Sequence, residues 1–296
     1  VTGPTAIKKT RYAVIHSDKA PCRISGKVSA DKGRTWSPTF TVQDNIGVEN
    51  VKHPNLLRLP SGEVIFLFTV WNSARERVIY QKRSTNDCET WTIPVKIEQL
   101  PGFNNINNDH VFQLKSGRIV LPAFNTPVIW EKGEHCLAFC HYSDDGGKTW
   151  NISRNRIDMP KRGAEERFMI ELKDGSLLAL IRTSMGAIYR ATSSDGGKTW
   201  SEPESTGLKA PASPPLVKRI PSTGDLLLVW NHNYEPELSH QGRRTPLSSA
   251  ISKDEGATWE NIRNIEVVPE GSAAYAATTF VGNEALVTYY YQPKGM

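Results

Sequence analysis

The stretch Ser143-Asp-Asp-Gly-Gly-Lys-Thr-Trp150 decides the fold, because its pattern of Ser, Asp, Gly, Thr and Trp recurs along the chain. Three further copies lie at residues 29–36, 193–200 and 252–259, and a degenerate copy with Asn and Cys lies at residues 84–91. Successive copies are separated by roughly 50 to 60 residues, and self-similarity at such a period is typical of repeat architectures.

The repeated stretch has the chemistry of a tight turn. The Asp145 carboxylate can accept hydrogen bonds from backbone N–H groups across the turn. Gly147 permits a backbone conformation that is costly for other residues, and Trp150 can cover the turn with a large apolar surface. We therefore expect a structural role for these Asp residues and not a catalytic one. The copy with Asn86 and Cys88 is expected to form a looser turn.

Between the turns the chain reads as β-hairpins, in which two apolar segments flank a turn that contains Gly. Hairpins are predicted at residues 54–68, 112–121, 168–181, 216–229 and 275–290, with a weaker one at residues 4–15. Each period therefore supplies a hairpin, a third strand, the repeated turn and a fourth strand, and such four-stranded units repeated radially form a β-propeller. The sequence predicts an all-β, six-bladed propeller with Asp-box turns, in one domain over residues 1–296 with an incomplete last blade. Two separate β-sandwiches are disfavoured because the repeat crosses any midpoint boundary.

Composition limits the classes of partner. The chain has 296 residues, 38% of them hydrophobic and 23% charged, which fits a globular protein with a core and excludes intrinsic disorder. No apolar run approaches the roughly 18 residues that span a bilayer, so no membrane span is expected. The net charge is +5, and the Lys and Arg residues are spread along the chain without a cluster. Nucleic acid is therefore not an expected partner, whereas a small anionic ligand is compatible with this charge. The four cysteines lack the close pairing of a zinc site, so no metal is expected.

Propeller geometry puts the starts of the first strands and the ends of the second strands of the blades on one face, opposite the repeated turns. Chargeable and aromatic side chains are concentrated at these positions. They are His53, Asp109, His110, Glu165, Glu166, Arg167 and Tyr275 at first-strand starts, and His16, Asp18, Trp71, Asn72, Asn125, Arg182, Trp230, Asn231 and His232 at second-strand ends, with Arg243 and Arg244 in a following loop. We expect a ligand to bind at this face.

The Asp-box turns in a six-bladed arrangement resemble the sialidase (neuraminidase) superfamily of BNR-repeat proteins. Its members use a Tyr nucleophile paired with a Glu, an Asp acid/base and three Arg residues that bind the substrate carboxylate. The resemblance implies the following assignment: nucleophile Tyr275, partner Glu166, acid/base Asp18, and carboxylate-binding Arg182 and Arg244.

The sequence departs from the family pattern at the first of the three arginines. The stretch Thr2-Gly-Pro4 stands where the family has Arg-Ile-Pro. His53, Asp109 and His110 are not members of the family set, and we expect them to contact the substrate or to replace the missing cation. Trp71 and Trp130 either stack on sugar rings or pack between blades.

The resemblance implies an exo-acting glycoside hydrolase that removes a terminal sialic acid from a glycan, without a cofactor, in an extracellular or periplasmic location. Two alternatives stay open. One is a related glycosidase or lyase that acts on another acidic sugar, such as a uronic acid. The other is a non-catalytic carbohydrate-binding propeller.

Overall fold

The computed structural model describes residues 18–282 and 284–294. The predicted hairpin at residues 4–15, the stretch Thr2–Pro4 and His16 lie outside the described residues. In the part described, the chain forms 21 strands and one 3-10 helix, Ser239–Gln241, and no helix there has the length and apolar character needed to cross a membrane. The chain divides into two compact units. Among the described residues, the amino-terminal unit comprises residues 18–158 and 193–200, and the carboxy-terminal unit comprises residues 159–192, 201–282 and 284–294.

The amino-terminal unit contains a two-stranded and a nine-stranded sheet. The strands are β1 (Ile24–Gly26), β2 (Phe40–Gln43), β3 (Asn50–Arg58), β4 (Val64–Ser73), β5 (Glu76–Ser84), β6 (Val95–Lys96), β7 (Phe103–Asn105), β8 (Phe112–Gln113), β9 (Ile119–Thr126), β10 (Leu137–Ser143) and β11 (Asn151–Ile152). Strands β1 and β2 pair with each other. In the larger sheet, the antiparallel sets β3-β4-β5-β6 and β8-β9-β10-β11 are joined by β7, which pairs with both β5 and β9.

The carboxy-terminal unit contains two four-stranded sheets and a hairpin. Its strands are β12 (Arg167–Glu171), β13 (Leu177–Ile181), β14 (Ala187–Ser193), β15 (Glu204–Lys209), β16 (Leu216–Arg219), β17 (Leu226–Asn231), β18 (Leu247–Ser252), β19 (Glu260–Glu266), β20 (Ser272–Val281) and β21 (Glu284–Gln292). The sheet orders are β12-β13-β14-β15 and β16-β17-β18-β19, and within the described residues β20 pairs with β21 alone. The predicted hairpins that fall within the described residues are confirmed.

The second strands of these sets are buried along their length. All residues of β4 from Val64 to Trp71 are buried, and so are all residues of β13. A strand with one face in water would alternate between apolar and polar residues, so a continuously buried strand is covered on both faces. In the amino-terminal unit, Ile65 and Leu67 of β4 pack with Ile79 of β5 in a cluster of buried apolar side chains.

The repeated turns are built as the sequence predicts. In the copy at residues 143–150, Asp145 Oδ1 accepts hydrogen bonds from the backbone N–H groups of Lys148 (3.0 Å) and Thr149 (2.9 Å), and Oδ2 accepts one from the Thr149 hydroxyl (2.6 Å). Ser143 Oγ accepts the N–H of Gly147 (2.8 Å), whose φ is 79°. The Asp oxygens are thus used inside the turn, which confirms the structural role.

The degenerate copy keeps the conformation of the others. The Thr90 N–H donates to Asn86 Oδ1 (3.0 Å), and Cys88 takes a φ of 71° where the other copies have Gly. The Thr90 hydroxyl lies 3.0 Å from Asn86 Nδ2, longer than the 2.6 Å between Thr149 and Asp145. The predicted looseness is therefore confined to the hydrogen-bond lengths, since a neutral amide replaces a carboxylate.

Candidate functional site

A hairpin of the carboxy-terminal unit places two of the predicted site residues side by side. Glu166 immediately precedes β12 and Arg182 immediately follows β13, and these strands pair with Arg167 opposite Ile181. The Arg182 N–H donates to the Glu166 carbonyl (2.9 Å), and the Glu165 N–H donates to the Arg182 carbonyl (3.1 Å). The backbone ladder therefore brings both acidic residues to the arginine, although they are 16 and 17 positions away in sequence.

Arg182 is the centre of the site. Its Nη1 donates to Glu166 Oε2 (2.7 Å) and makes a long hydrogen bond to the Tyr275 hydroxyl (3.5 Å), and its Nη2 lies 3.1 Å from Glu165 Oε2. The side chain is only 4% exposed. Burial lowers the pKa of Arg182, but the charges of Glu165 and Glu166 outweigh it and hold this pKa above its ordinary value. Arg182 is thus a fixed cation held between two carboxylates.

Glu166 is ionised in this arrangement. Burial raises its pKa, but the positive charge of Arg182, together with those of Arg162 and Arg244, outweighs burial and lowers the pKa below its ordinary value. Among the residues described, no direct hydrogen bond joins Glu166 to Tyr275. The two side chains share Nη1 of Arg182 as a common partner.

Tyr275 is held in a strained conformation beside a second guanidinium. It lies in β20 at a register shift between Ala274 and Ala277, and its φ is 54°, a region that is uncommon for bulky residues and that is concentrated at functional sites. The Ala273 N–H donates to the Arg244 carbonyl (2.8 Å), and the Arg244 guanidinium lies 5.2 Å from the centre of the Tyr275 ring. Tyr275, Glu166, Arg182 and Arg244, predicted together from the sequence, therefore meet in one cluster.

Sequence reasoning missed two members of this cluster and gave a third no role. Glu165 Oε2 also accepts a hydrogen bond from Arg162 Nη1 (2.6 Å), so Glu165 bridges two arginines. The pKa of His240 is lowered to about 4 by desolvation and by the charges of Arg244, Arg182 and Arg162. Arg162 lies in a turn and His240 in the short 3-10 helix, neither with a strand pattern, so only spatial proximity reveals them. With three guanidinium groups and two carboxylates, the cluster carries an excess positive charge.

Asp18, the predicted acid/base, belongs to the amino-terminal unit. Its Oδ1 forms an ion pair with Lys52 Nζ (3.0 Å), and its carbonyl accepts a hydrogen bond from Asn50 Nδ2 (2.7 Å). Its side chain is 67% exposed. The carboxylate is thus accessible and fixed by a single cation.

The amino-terminal unit also brings His53, Asp109 and His110 together. Asn55 Oδ1 accepts the N–H groups of His110 (2.7 Å) and Val111 (3.0 Å), while Asn55 Nδ2 donates to the carbonyls of Asn107 (2.7 Å) and His53 (3.0 Å). This buried amide therefore ties the loop that carries Asp109 and His110 to β3, which carries His53.

His53 is a neutral side chain. Burial lowers its pKa well below the ordinary value, and the charges of Arg77, Lys52 and His110 lower it further. A neutral imidazole supplies no positive charge, which argues against the expectation that His53 replaces the missing cation. Trp71 is buried against Phe103 and the guanidinium of Arg77, so its part is in packing.

Thiols and acidic side chains give no sign of a metal centre in the ranges described. The four cysteines are free thiols, two of them buried. Across residues 18–282 and 284–294, no group of three or more His, Cys, Asp or Glu side chains has an arrangement that could hold a metal ion.

Comparison with known proteins agrees with the fold. A model of the BNR repeat-like domain matches residues 15–287. A sialidase of Bacteroides fragilis (strain YCH46) is 26% identical over 221 residues, which make up 70% of this chain and 38% of that protein. An anhydrosialidase of Macrobdella decora is 36% identical over 88 residues, which make up 29% of this chain and 10% of that protein. The chain thus matches well under half the length of either relative.

Among solved structures, a mutant of the NanB sialidase from Streptococcus pneumoniae superposes with a TM-score of 0.76 at 16% identity, covering 96% of this chain and 62% of that one. At this identity the likeness shows the fold, and it confirms the predicted all-β propeller class. Because the model of the BNR repeat-like domain matches residues 15–287, nearly the whole chain, the protein belongs to the BNR repeat-like family.

Proposed function

We propose that the protein is a sialidase-like exo-glycoside hydrolase that removes a terminal acidic sugar, sialic acid, from a glycan outside the cytoplasm. The observation that carries this proposal is the position of the Tyr275 hydroxyl, 3.5 Å from Nη1 of Arg182, with the guanidinium of Arg244 beside the same ring. A tyrosine hydroxyl among guanidinium groups suits a substrate whose negative charge lies next to the reacting carbon.

Tyr275 is the nucleophile in this scheme. A sialoside carries its carboxylate on the anomeric carbon, so a carboxylate nucleophile would be repelled, and sialidases use a tyrosine instead. The Tyr275 oxygen attacks the anomeric carbon while Glu166 takes the phenolic proton. Glu166 is ionised and can accept that proton, and both side chains contact Nη1 of Arg182.

Asp18 is the acid/base, a role that comes from the family resemblance. It donates a proton to the leaving oxygen as the glycosidic C–O bond breaks. In the second step it takes a proton from a water molecule, whose oxygen attacks the anomeric carbon as the bond to Tyr275 breaks, and Glu166 returns its proton to the Tyr275 oxygen.

Arg244 and Arg182 bind the substrate carboxylate with unequal shares. Both terminal nitrogens of Arg182 already contact Glu165 and Glu166. Within the described structure, the Arg244 side chain donates only one long hydrogen bond, from Nη2 to the Ala212 carbonyl (3.3 Å). We therefore assign the larger share of carboxylate binding to Arg244, while Arg182 orients Glu166 and Tyr275.

The test is release of the aryl group from an aryl α-sialoside by the wild-type protein and by Tyr275→Phe. Loss of the nucleophile should lower kcat by at least about a hundredfold. The matched control is Tyr290→Phe, which removes the hydroxyl of an exposed tyrosine that donates to Gln292 Oε1 and should leave turnover unchanged. Undiminished turnover by Tyr275→Phe would show that Tyr275 is not the nucleophile.

A second candidate is a related glycosidase or lyase that acts on a uronic acid, because guanidinium groups recognise the carboxylate of any acidic sugar. Product analysis separates the two, since a lyase leaves an unsaturated sugar that absorbs ultraviolet light. Saccharide binding without turnover by the wild-type protein would instead indicate a carbohydrate-binding propeller.

A further inference from the structure

His53 occupies an irregular position in β3. The pairing of β3 with β4 shifts register between Lys52 and Asn55, and His53 has a φ of 60°. This left-handed conformation is uncommon for residues other than Gly, although His is among those enriched there. Bulges in sheets re-aim side chains and are frequent next to functional sites. The hydrogen bond from Asn55 Nδ2 to the His53 carbonyl (3.0 Å) holds the conformation.

The hydrogen bonds of Thr69 fix which ring nitrogen of His53 carries the proton. The Thr69 hydroxyl has a single proton, and it lies 3.2 Å from the Lys52 carbonyl, which can only accept. The same oxygen lies 3.1 Å from His53 Nδ1. A hydroxyl that gives its proton to the carbonyl accepts from Nδ1–H. In this arrangement the neutral imidazole keeps its lone pair on Nε2.

This lone pair is open to a ligand. The Thr69 contact is the one hydrogen bond of the His53 ring among the residues described, and the residue is partly exposed. The cations nearby are already engaged: Lys52 Nζ bonds to Asp18, and Arg77 Nη1 donates to Asn105 Oδ1 (2.6 Å) and stacks on Trp71. The charges of Lys52, Arg77 and His110 keep the imidazole neutral by lowering its pKa.

We propose that Nε2 of His53 accepts a hydrogen bond from an uncharged hydroxyl group of the bound sugar. That the ligand is a sugar rests on the proposed function. The acceptor character of Nε2 excludes the substrate carboxylate as its partner, because an ionised carboxylate has no proton to donate. Lys52 and Arg77 make an ammonium group or a metal ion unfavourable at the same place.

Two substitutions separate this role from a structural one. Asn tolerates the left-handed conformation and is too short to place an acceptor where Nε2 lies, so His53→Asn removes the acceptor and keeps the backbone. Gln is longer and presents a carbonyl oxygen near that place. We expect His53→Asn to raise KM for the aryl α-sialoside about three- to tenfold, which corresponds to the loss of one hydrogen bond between neutral groups, with little change in kcat. We expect His53→Gln to recover part of the lost affinity. Equal KM values for His53→Asn and wild type would overturn the proposal.

Nitrogen-15 NMR of histidine-labelled wild-type protein tests the inference without turnover. We expect the proton on Nδ1 and a shift of the His53 Nε2 signal when N-acetylneuraminic acid, galacturonic acid or galactose is added at millimolar concentration. A proton on Nε2, or a signal that none of the three sugars moves, would overturn the proposal. If the aryl sialoside is not cleaved but the signal moves, the hydrolase assignment fails and the role of His53 stands.

Discussion

Asn55→Ala is the substitution whose effect the structure defines most closely. The Asn55 side chain is 1% exposed and makes four hydrogen bonds, all to backbone groups. It accepts from the N–H groups of His110 (2.7 Å) and Val111 (3.0 Å) and donates to the carbonyls of Asn107 (2.7 Å) and His53 (3.0 Å). Alanine removes all four bonds and leaves two N–H groups and two carbonyls to find other partners.

The expected loss follows from the count of bonds. A hydrogen bond contributes about 0.5–1.5 kcal/mol net to stability, so four bonds contribute about 2–6 kcal/mol. Water can enter the space that the amide leaves and satisfy some of the backbone groups. We therefore expect Asn55→Ala to lower the free energy of unfolding by about 3 kcal/mol, a large share of the roughly 5–15 kcal/mol of a typical domain.

Urea denaturation measures this loss, because a change in midpoint at constant slope reports stability alone. Asn45→Ala is the matched control. Asn45 also forms hydrogen bonds with backbone groups, those of Glu49 (3.1 Å) and Gly47 (3.0 Å), but it is exposed. Removal of this side chain should lower the free energy of unfolding by about 0.5 kcal/mol or less. Limited proteolysis of Asn55→Ala should also show new cleavage within residues 107–111. A decrease in the free energy of unfolding below about 1 kcal/mol, with no new cleavage, would show that the Asn55 amide does not hold this loop.

Two further predictions concern the repeated turns. Hydrogen bonds from the Thr258 hydroxyl and N–H lower the pKa of Asp254 from 3.8 to about 2. The contribution of this carboxylate to stability is therefore present above about pH 4 and is lost as pH falls through about 2. Asp254→Asn should lose less stability than wild type over that pH interval, and parallel acid denaturation curves of the two proteins would contradict this. Cys88 has a φ of 71°, so Cys88→Gly should raise the free energy of unfolding by about 0.5–1 kcal/mol. Urea denaturation measures this change. A free energy of unfolding below that of wild type would show that the Cys88 side chain contributes packing.

The strands and turns could be predicted because their signals are local in sequence. The box around Asp145 specifies its own hydrogen bonds within eight residues, and each copy marks the end of one strand and the start of another. The hairpin of β12 and β13 then fixes the pairing of Glu166 with Arg182, since Arg167 lies opposite Ile181. Once the hairpin is known, this part of the site follows from register.

The remaining features depend on contacts between segments that share no local pattern. Arg162 lies in an irregular stretch and acquires its role from the carboxylate of Glu165. Asn55 appears in the sequence as an ordinary strand residue, yet it determines the position of the loop that carries His110. The protonation of His53 depends on the hydroxyl of Thr69 on the neighbouring strand. Such contacts become visible only in the structure, because the spacing of residues in the sequence does not determine which polar atoms form hydrogen bonds with each other.

The charge of the cluster around Tyr275 argues for an acidic substrate independently of family resemblance. Glu165 and Glu166 both contact Arg182 and together offset its charge and that of one further arginine. Among the described residues, no carboxylate contacts Arg244, whose guanidinium lies beside the ring of Tyr275. A buried or half-buried charge is costly until it is paired, so a ligand carboxylate that brings the cluster to neutrality gains more than a neutral sugar of the same shape.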